Sequence, residues 1–545
     1  MRRAIFALAG LVITAAVGAA CGSGSNGNSG FDSGTGSSSG SGGDDSGSDG
    51  TTGPACTGGK TACVSGCVDT TSDPANCGKC GLSCDGGTCC ASVCVDQTAS
   101  CAFSVTALDP AQGNQNGGDW VTIKGSGFVA GMRVYIGTGA APAHVVDPQH
   151  ALVLTPPLTV GYYDVKITSG AMTSVLPGSY LSVAGSETPP WTEKPMKFVR
   201  GEDPGLAVLQ DGRVLVAGGT TVPDSAMNAL ASAELYTRMN DTVTSAPGMM
   251  STPRIQNAAV TLLDGKVLVV GGAGWSDAVA NNNTPSVSAD LFDPTSGTFA
   301  PTAHPLTTAR AGIRAALAWD GRVVITSGGD ATADVYDPVA DTFTSVPTLA
   351  MHTYGFMVRM RDGRVMLGAG DGGQTAVEIF DPAQNKFFMA PPLNQGRSML
   401  TAHTLPDGRI MVIGGASMSA GSVDVPLASI ELYDPATNKW SVAPYSLSTG
   451  RCWHASALVS DGTVLVMGGY NVDKSCMLTA AAQIVDQVDP VAGTVKPFGS
   501  LPHPNTEWTA VTLHDGSVLG VGGGACGTPM ALPSLDFLPG KPSSQ

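Results

Sequence analysis

From residue 211 onward, seven Asp-Gly pairs are each followed by an apolar run, and ten residues before each aspartate stand Gly201, Arg254, Arg310, His352, Arg397, Arg451 and Asn505. Four guanidiniums and one imidazole at a single register suggest anion chemistry, because a planar guanidinium pairs bidentately with a carboxylate. Such a set could hold an acidic peptide or a uronic or sialic sugar. Equally, each arginine could be consumed by carbonyls or carboxylates of a neighbouring repeat. A few residues further on, Trp453, His454, Glu507 and Trp508 combine ring faces that suit sugars with polar groups that could orient them, or they could simply pack. His454-Ala-Ser456 is no triad by itself, and no convincing nucleophile partnership is visible.

The elements that carry these residues are legible from the repeat. The copies read DGRVLVAGG from Asp211, DGKVLVVGG from Asp264, DGRVVITSGG from Asp320, DGRVMLGAG from Asp362, DGRIMVIGG from Asp407, DGTVLVMGG from Asp461 and DGSVLGVGG from Asp515, at intervals of 53, 56, 42, 45, 54 and 54. Periods of this size indicate a propeller or solenoid. A second signature joins an aromatic before Asp-Pro to another aromatic: FDPTSGTF from Phe292, YDPVADTF from Tyr336, FDPAQNKF from Phe380 and YDPATNKW from Tyr433. An Asp-Pro turn between two strands fits that spacing. Turn, strand, Gly-Gly, strand, Asp-Pro turn, strand and linking strand make four antiparallel strands per unit. The glycines do not suit a phosphate loop, since strand signals follow them and no GK[ST] occurs.

This pattern resembles the kelch β-propeller over residues 190–545. The resemblance implies seven blades, with the segment Trp191 to Met196 completing the last. It also places the arginine register at the start of each innermost strand, so that Arg254, Arg310, His352, Arg397 and Arg451 would ring one mouth of the central channel, with Trp453, His454, Glu507 and Trp508 nearby. Cys452 and Cys476 would meet there and could form a disulfide. Galactose oxidase and related copper radical oxidases share this propeller. Their chemistry needs a Tyr-His pair where this chain has Thr506-Glu507, a second tyrosine cross-linked to cysteine, and a histidine from a following domain that is not expected here. A carbohydrate-active or copper-radical enzyme is therefore the alternative to a binding protein, and no catalytic residue, metal or cofactor is expected.

Upstream segments set the context. MRRAIFALAGLVITAAVGAA, residues 1–20, has the basic start and apolar run of an export signal. Its end, Val17-Gly18-Ala19-Ala20-Cys21, resembles a bacterial lipoprotein signal, which implies acylation of Cys21 and a surface or outer-membrane location. Residues 21–54 are a Gly/Ser-rich tether. Residues 55–101 carry Cys56, Cys63, Cys67, Cys77, Cys80, Cys84, Cys89, Cys90, Cys94 and Cys101, and export favours disulfides among them. The string DPANCGKCGLSC resembles a cysteine-rich module of bacterial surface proteins. In residues 102–184, Asp109-Pro110, Gly117-Gly118, VTIKGSGF, Gly131, TPP and Gly161-Tyr-Tyr-Asp-Val165 resemble the IPT/TIG family of immunoglobulin-like domains.

Composition agrees with an all-β chain: 72 Gly and 36 Pro leave little material for long helices. A formal charge of −16 argues against nucleic acid as a partner. The expectation is an all-β protein with a small disulfide-rich module, an Ig-like β-sandwich and a seven-bladed kelch β-propeller. It would be exported, held to a membrane through a lipid anchor alone, monomeric, and bind a protein or glycan, an anionic one if the arginines are free.

Overall fold

The computed structural model describes short stretches between residues 61 and 95, residues 103–187, and residues 191–541 apart from 202, 222–228, 275–283, 327–329, 371–372, 419–423, 472–482, 525–533 and 539. The chain divides into residues 1–55 and 56–545. The proposed lipid-bearing Cys21 therefore lies outside the described residues, as do Cys56, Cys77, Cys84, Cys101 and Cys476. In the cysteine-rich stretch, two hairpins pair Thr61–Cys63 with Gly66–Val68 and Thr88–Cys90 with Val93–Val95. Cys80 is disulfide-bonded.

Residues 104–183 fold as two facing antiparallel sheets with one parallel pairing at an edge. One runs in the order Ala143–Asp147, His150–Leu154, Trp120–Ser126, Ser104–Asp109, and the other Gln112–Asn114, Met172–Val183, Gly161–Ser169, Arg133–Ile136, Gly139–Ala141. Alternation explains the packing. In Trp120–Ser126, Val121 and Ile123 point inward and meet Val134, Ile136, Val165 and Ile167 from the other sheet. This is an Ig-like sandwich.

Downstream, among the described residues, seven four-stranded antiparallel sheets follow one another, as a kelch propeller requires. Their first strands are Gly205–Val208, Ala258–Thr261, Arg314–Leu317, Phe356–Arg359, Thr401–Thr404, Ala455–Leu458 and Thr506–Thr512. Contacts between consecutive first strands run from blade 1 to blade 7 and return to blade 1, closing the ring. The strand Thr192–Pro195 pairs with Ser534–Leu538 and forms the outer edge of blade 7, so the two ends of the propeller sequence are joined in one sheet.

The apolar run after each DG is the second strand of its blade. Val214–Ala217, Val267–Val270, Val323–Thr326, Val365–Gly368, Ile410–Ile413 and Val464–Met467 are buried at every residue. They run unbroken rather than alternating because neighbouring blades cover both sheet faces. Thus Val267, Val269 and Phe292 of blade 2 pack on Leu215, Ala217 and Leu235 of blade 1. The paired aromatics of the Asp-Pro hairpins are directly cross-strand, as in Phe292 opposite Phe299 at 4.9 Å and Tyr433 opposite Trp440 at 5.3 Å between ring centroids. The DG turn folds on its own aspartate: Asp407 Oδ1 accepts the Arg409 amide at 2.9 Å and Oδ2 accepts Arg409 Nε at 2.7 Å.

The Ig-like domain sits on the face of the propeller where these DG turns lie. Asn114 Nδ2 donates to His514 O at 2.9 Å, Gln115 Nε2 to Ser460 O at 3.0 Å and Asn116 Nδ2 to Leu458 O at 2.9 Å. On another side, the Ala140 amide donates to Arg361 O at 2.9 Å and Arg133 stacks over Trp319 at 4.1 Å. One end of the channel is thereby covered, and the arginine register faces the other.

Candidate functional site: the open mouth of the propeller channel

The arginines expected on the rim are not on its surface. Arg254, Arg310, Arg397 and Arg451 are each 0% exposed, and His352 is 4% exposed. Each stands at the junction between two blades and pairs with a carboxylate on the third strand of the blade that follows: Arg254 with Asp290 at 2.5 Å, Arg310 with Asp334 at 2.7 Å, His352 with Glu378 at 3.0 Å, Arg397 with Glu431 at 2.7 Å and Arg451 with Asp486 at 2.7 Å. Blade 1 uses Arg200, which neighbours the expected Gly201, with Glu234 at 2.9 Å. A sequence signal for the partners existed: the acid stands two residues before the aromatic of each Asp-Pro hairpin, in ADLFDP, ADVYDP, VEIFDP and IELYDP.

These pairs stitch the ring. Arg397 Nη1 donates to Gly414 O at 2.9 Å and Ser429 O at 3.0 Å, while Glu431 accepts the amides of Asn394 at 2.8 Å and Gln395 at 3.1 Å in the linker from the preceding blade. The carbonyl of Arg451 in turn accepts the amide of Gly415, the second glycine of the previous blade, at 2.9 Å. A Cβ on Gly415 would stand 2.6 Å from Ser398 O, which is why the Gly-Gly step tolerates no side chain there. Burial pulls the Arg254 guanidinium down to about 10 against the support of Asp290, still far above neutral pH. The arginines are charged and already neutralised, so they offer little to an external anion.

Eight positions before each DG aspartate stand Asp203, Gln256, Gly312, Tyr354, Met399, Trp453 and Glu507, of which Asp203, Met399, Trp453 and Glu507 line the mouth cavity. All seven have left-handed backbone, with φ of 45°, 52°, 63°, 55°, 56°, 53° and 55°. For the six that are not glycine this conformation costs on the order of 1 kcal/mol each. A chain of backbone hydrogen bonds offsets it: Asp203 N donates to Glu507 O at 3.4 Å, Glu507 N to Trp453 O at 3.1 Å, Trp453 N to Met399 O at 3.1 Å and Met399 N to Tyr354 O at 2.9 Å. One backbone geometry thus presents seven different residue types around one opening. The sequence marks Trp453 and Glu507 as candidates; nothing local distinguishes the other five from strand starts.

The side chains form two sectors over a cavity of about 290 Å³. In one, Tyr354 and Trp453 meet edge to face at 5.0 Å beside Met399, and the Tyr354 hydroxyl donates to Gln256 Oε1 at 3.4 Å. In the other, Asp203 and Glu507 present carboxylates, Glu507 accepting from the Tyr470 hydroxyl at 3.2 Å. Burial raises the Asp203 carboxyl, and the Arg314 charge opposes that rise.

Deeper lie His454 and His403. His454 Nε2 is 3.0 Å from Thr401 Oγ1, and His403 Nε2 is 2.6 Å from Ser456 Oγ. Burial holds His403 down to about 4 and His454 down to about 3, the latter aided by Arg451, so both imidazoles are neutral at neutral pH. A base this weak activates a serine poorly. Trp508 is 3% exposed and packs with Trp191, Val518 and Leu538 while one edge reaches the cavity wall. Cys452 is buried, with its backbone bridged to Tyr470; its proposed partner Cys476 lies outside the described residues.

Comparison with known proteins agrees with this architecture. Residues 104–181 match the IPT/TIG domain family and residues 400–445 the kelch motif. Kelch-like protein 23 of Mus musculus is 42% identical over 72 residues, covering 13% of this chain and 12% of that protein. Galactose oxidase of Gibberella zeae is 24% identical over 331 residues, 59% of this chain and 42% of its own length. The chain thus spans less than half the length of these curated relatives. A solved fungal alcohol oxidase of the AA5 family, in complex with copper, superposes with a TM-score of 0.49 at 15% identity, covering 65% of this chain and 76% of its own. The chain therefore carries an IPT/TIG domain followed by a kelch-repeat, galactose-oxidase-like propeller region. Copper is a poor fit to the residues at hand: among the described residues no three His, Cys, Asp or Glu side chains converge as metal ligands, and the two channel histidines turn their Nε2 atoms to Thr401 and Ser456.

Proposed function

We propose that this is an exported, lipid-anchored surface protein whose propeller binds a glycan at its open mouth. The observation that carries the reading is the left-handed ring, which brings Asp203, Met399, Trp453 and Glu507 to one cavity, with Tyr354 edge to face on Trp453. Ring faces cover the apolar side of a sugar, and carboxylates accept its hydroxyls, a division of labour usual in pockets for polar ligands. With the arginines neutralised inside the blades, a neutral sugar fits better than an anionic one. Cys21 supplies the anchor, the tether supplies reach, and the Ig-like domain closes the opposite end of the channel.

A glycan array probed with the purified exported chain tests this. Binding should be saturable, lost in Trp453→Ala and weakened in Glu507→Gln, and unchanged in Arg133→Ala on the far face. The likeness to galactose oxidase favours a second reading, oxidation of a sugar hydroxyl. Copper-dependent peroxide release with galactose, absent from metal-free protein, would replace the binding reading with that one.

A further inference from the structure

Below the mouth, the channel opens into an inner chamber of about 520 Å³ between the first strands and the Ig-like domain. Trp120, Leu154 and Pro157 of the Ig-like domain help to line it, and Ala259, Ala315, Ala402 and Ala510 form a wall common to chamber and mouth cavity. Small side chains there leave a way in from the open end. Into this chamber projects the inner strand of blade 4, ending in Arg359.

Arg359 differs from every blade arginine described above. Those are each neutralised by a third-strand carboxylate; among the described residues, the Arg359 guanidinium has no hydrogen bond or ion pair, and burial is the sole influence on it, pulling it down to about 10. Its own carbonyl is occupied, accepting from Thr404 Oγ1 at 2.7 Å. The hydroxyls at the same level of two other blades are committed too, Thr261 to Val208 O at 2.7 Å and Thr512 to Leu458 O at 2.8 Å. The other titratable groups on the wall do not supply a fixed counter-charge. His403 is held neutral by burial, His514 is lowered by burial, and Asp119, raised to about 7 by burial, is engaged with the Asn114 amide at 2.6 Å and has no electrostatic influence from Arg359. A guanidinium keeps its charge at neutral pH and presents five donors in a fixed fork. Arg359 is half-buried and lines the chamber, so its guanidinium borders a space wide enough for a ligand, and a charge that no protein carboxylate neutralises gains from an anion placed there.

We propose that the inner chamber is a binding site for a small oxyanion, an inorganic phosphate or a short carboxylate, held by forked contact with Arg359. It is separate from the glycan mouth and does not depend on it. The test uses the exported full chain in anion-poor buffer at constant ionic strength, titrated with inorganic phosphate, acetate or chloride and followed by calorimetry and thermal melting. Wild type should show a saturable rise in melting temperature with phosphate or acetate and none with chloride, and which of the two saturates first identifies the source. Arg359→Met should bind at least tenfold more weakly, yet melt no lower than wild type without anion, because it removes an uncompensated charge. Arg359→Lys should recover part of the response, and Trp453→Ala should retain all of it. No saturable response in wild type, or an undiminished one in Arg359→Met, overturns the proposal. Should the methionine variant not fold, a selenate-soaked crystal of wild type decides: anomalous density beside Arg359 supports the site, and its absence sinks it.

Discussion

Replacing Arg397 by methionine separates the two uses considered for the arginine register. In the folded blade, Arg397 donates to Glu431 at 2.7 Å, Gly414 O at 2.9 Å, Ser429 O at 3.0 Å and Ser429 Oγ at 3.2 Å, and both members of the ion pair are 0% exposed. The substitution keeps most of the stem's volume but leaves a buried carboxylate with only the neutral donors of Asn394 and Gln395. Breaking such a pair from one side costs about 3–5 kcal/mol. Those contacts do not sum independently, so the figure for the whole pair is the one to use. The double change Arg397→Met with Glu431→Gln removes the stranded charge and should recover about half of the loss. Urea unfolding followed by tryptophan fluorescence, run beside glycan binding at a temperature where every variant is folded, supplies both readouts. The expected result is a large fall in the urea midpoint with ligand affinity within about twofold of wild type, on the reasoning that a residue touching no ligand changes no transfer of free energy at the site. A variant that keeps wild-type stability and loses ligand would return Arg397 to the rim and refute the stitching role.

Stability should also fall on acidification between pH 6.5 and 4. Folded His403 and His454, at about 4 and about 3, refuse protons that the unfolded chain accepts, a loss of up to about 1.4 kcal/mol per pH unit for each. Asp119, raised to about 7, runs the other way, its contribution being present at low pH and lost as pH rises toward 7, so Asp119→Asn should steepen the acid loss; urea midpoints at four pH values check the sign. At the domain junction, changing Asn114, Gln115 and Asn116 together to alanine removes three side-chain donors to propeller carbonyls and should cost about 1 kcal/mol per bond. Faster hydrogen exchange at residues 458–460 and 514, with the blades otherwise unchanged, is the expected signature.

Much of the architecture is local and legible in the sequence. DG followed by an apolar run and Gly-Gly specifies a hairpin; [aromatic]-Asp-Pro specifies the next; their spacing specifies a blade. Even the segment around Thr192–Pro195 could be assigned to the last blade from a missing strand there. The arginines were conspicuous because they repeat, but repetition here marks a structural part: Arg254 and Asp290 belong to every blade's frame in the way the glycines do. The positions two residues further on carry no repeated residue type, and Asp203, Gln256, Gly312, Tyr354, Met399, Trp453 and Glu507 share only a backbone conformation.

The sequence by itself determined the order of the domains, the strand count of each blade and the hairpins that build it, because turn chemistry and burial on both sheet faces act over a few residues. Only tertiary structure decided which charges are spent and which face a cavity. Arg397, in the linker before the blade 5 first strand, and Arg359, at the end of the blade 4 first strand, carry the same functional group. One meets a carboxylate 34 residues away on the third strand of the blade that follows it, and the other meets the space left between seven strands and a separate domain. Neither outcome exists until the ring closes, since both depend on what distant segments bring to the channel.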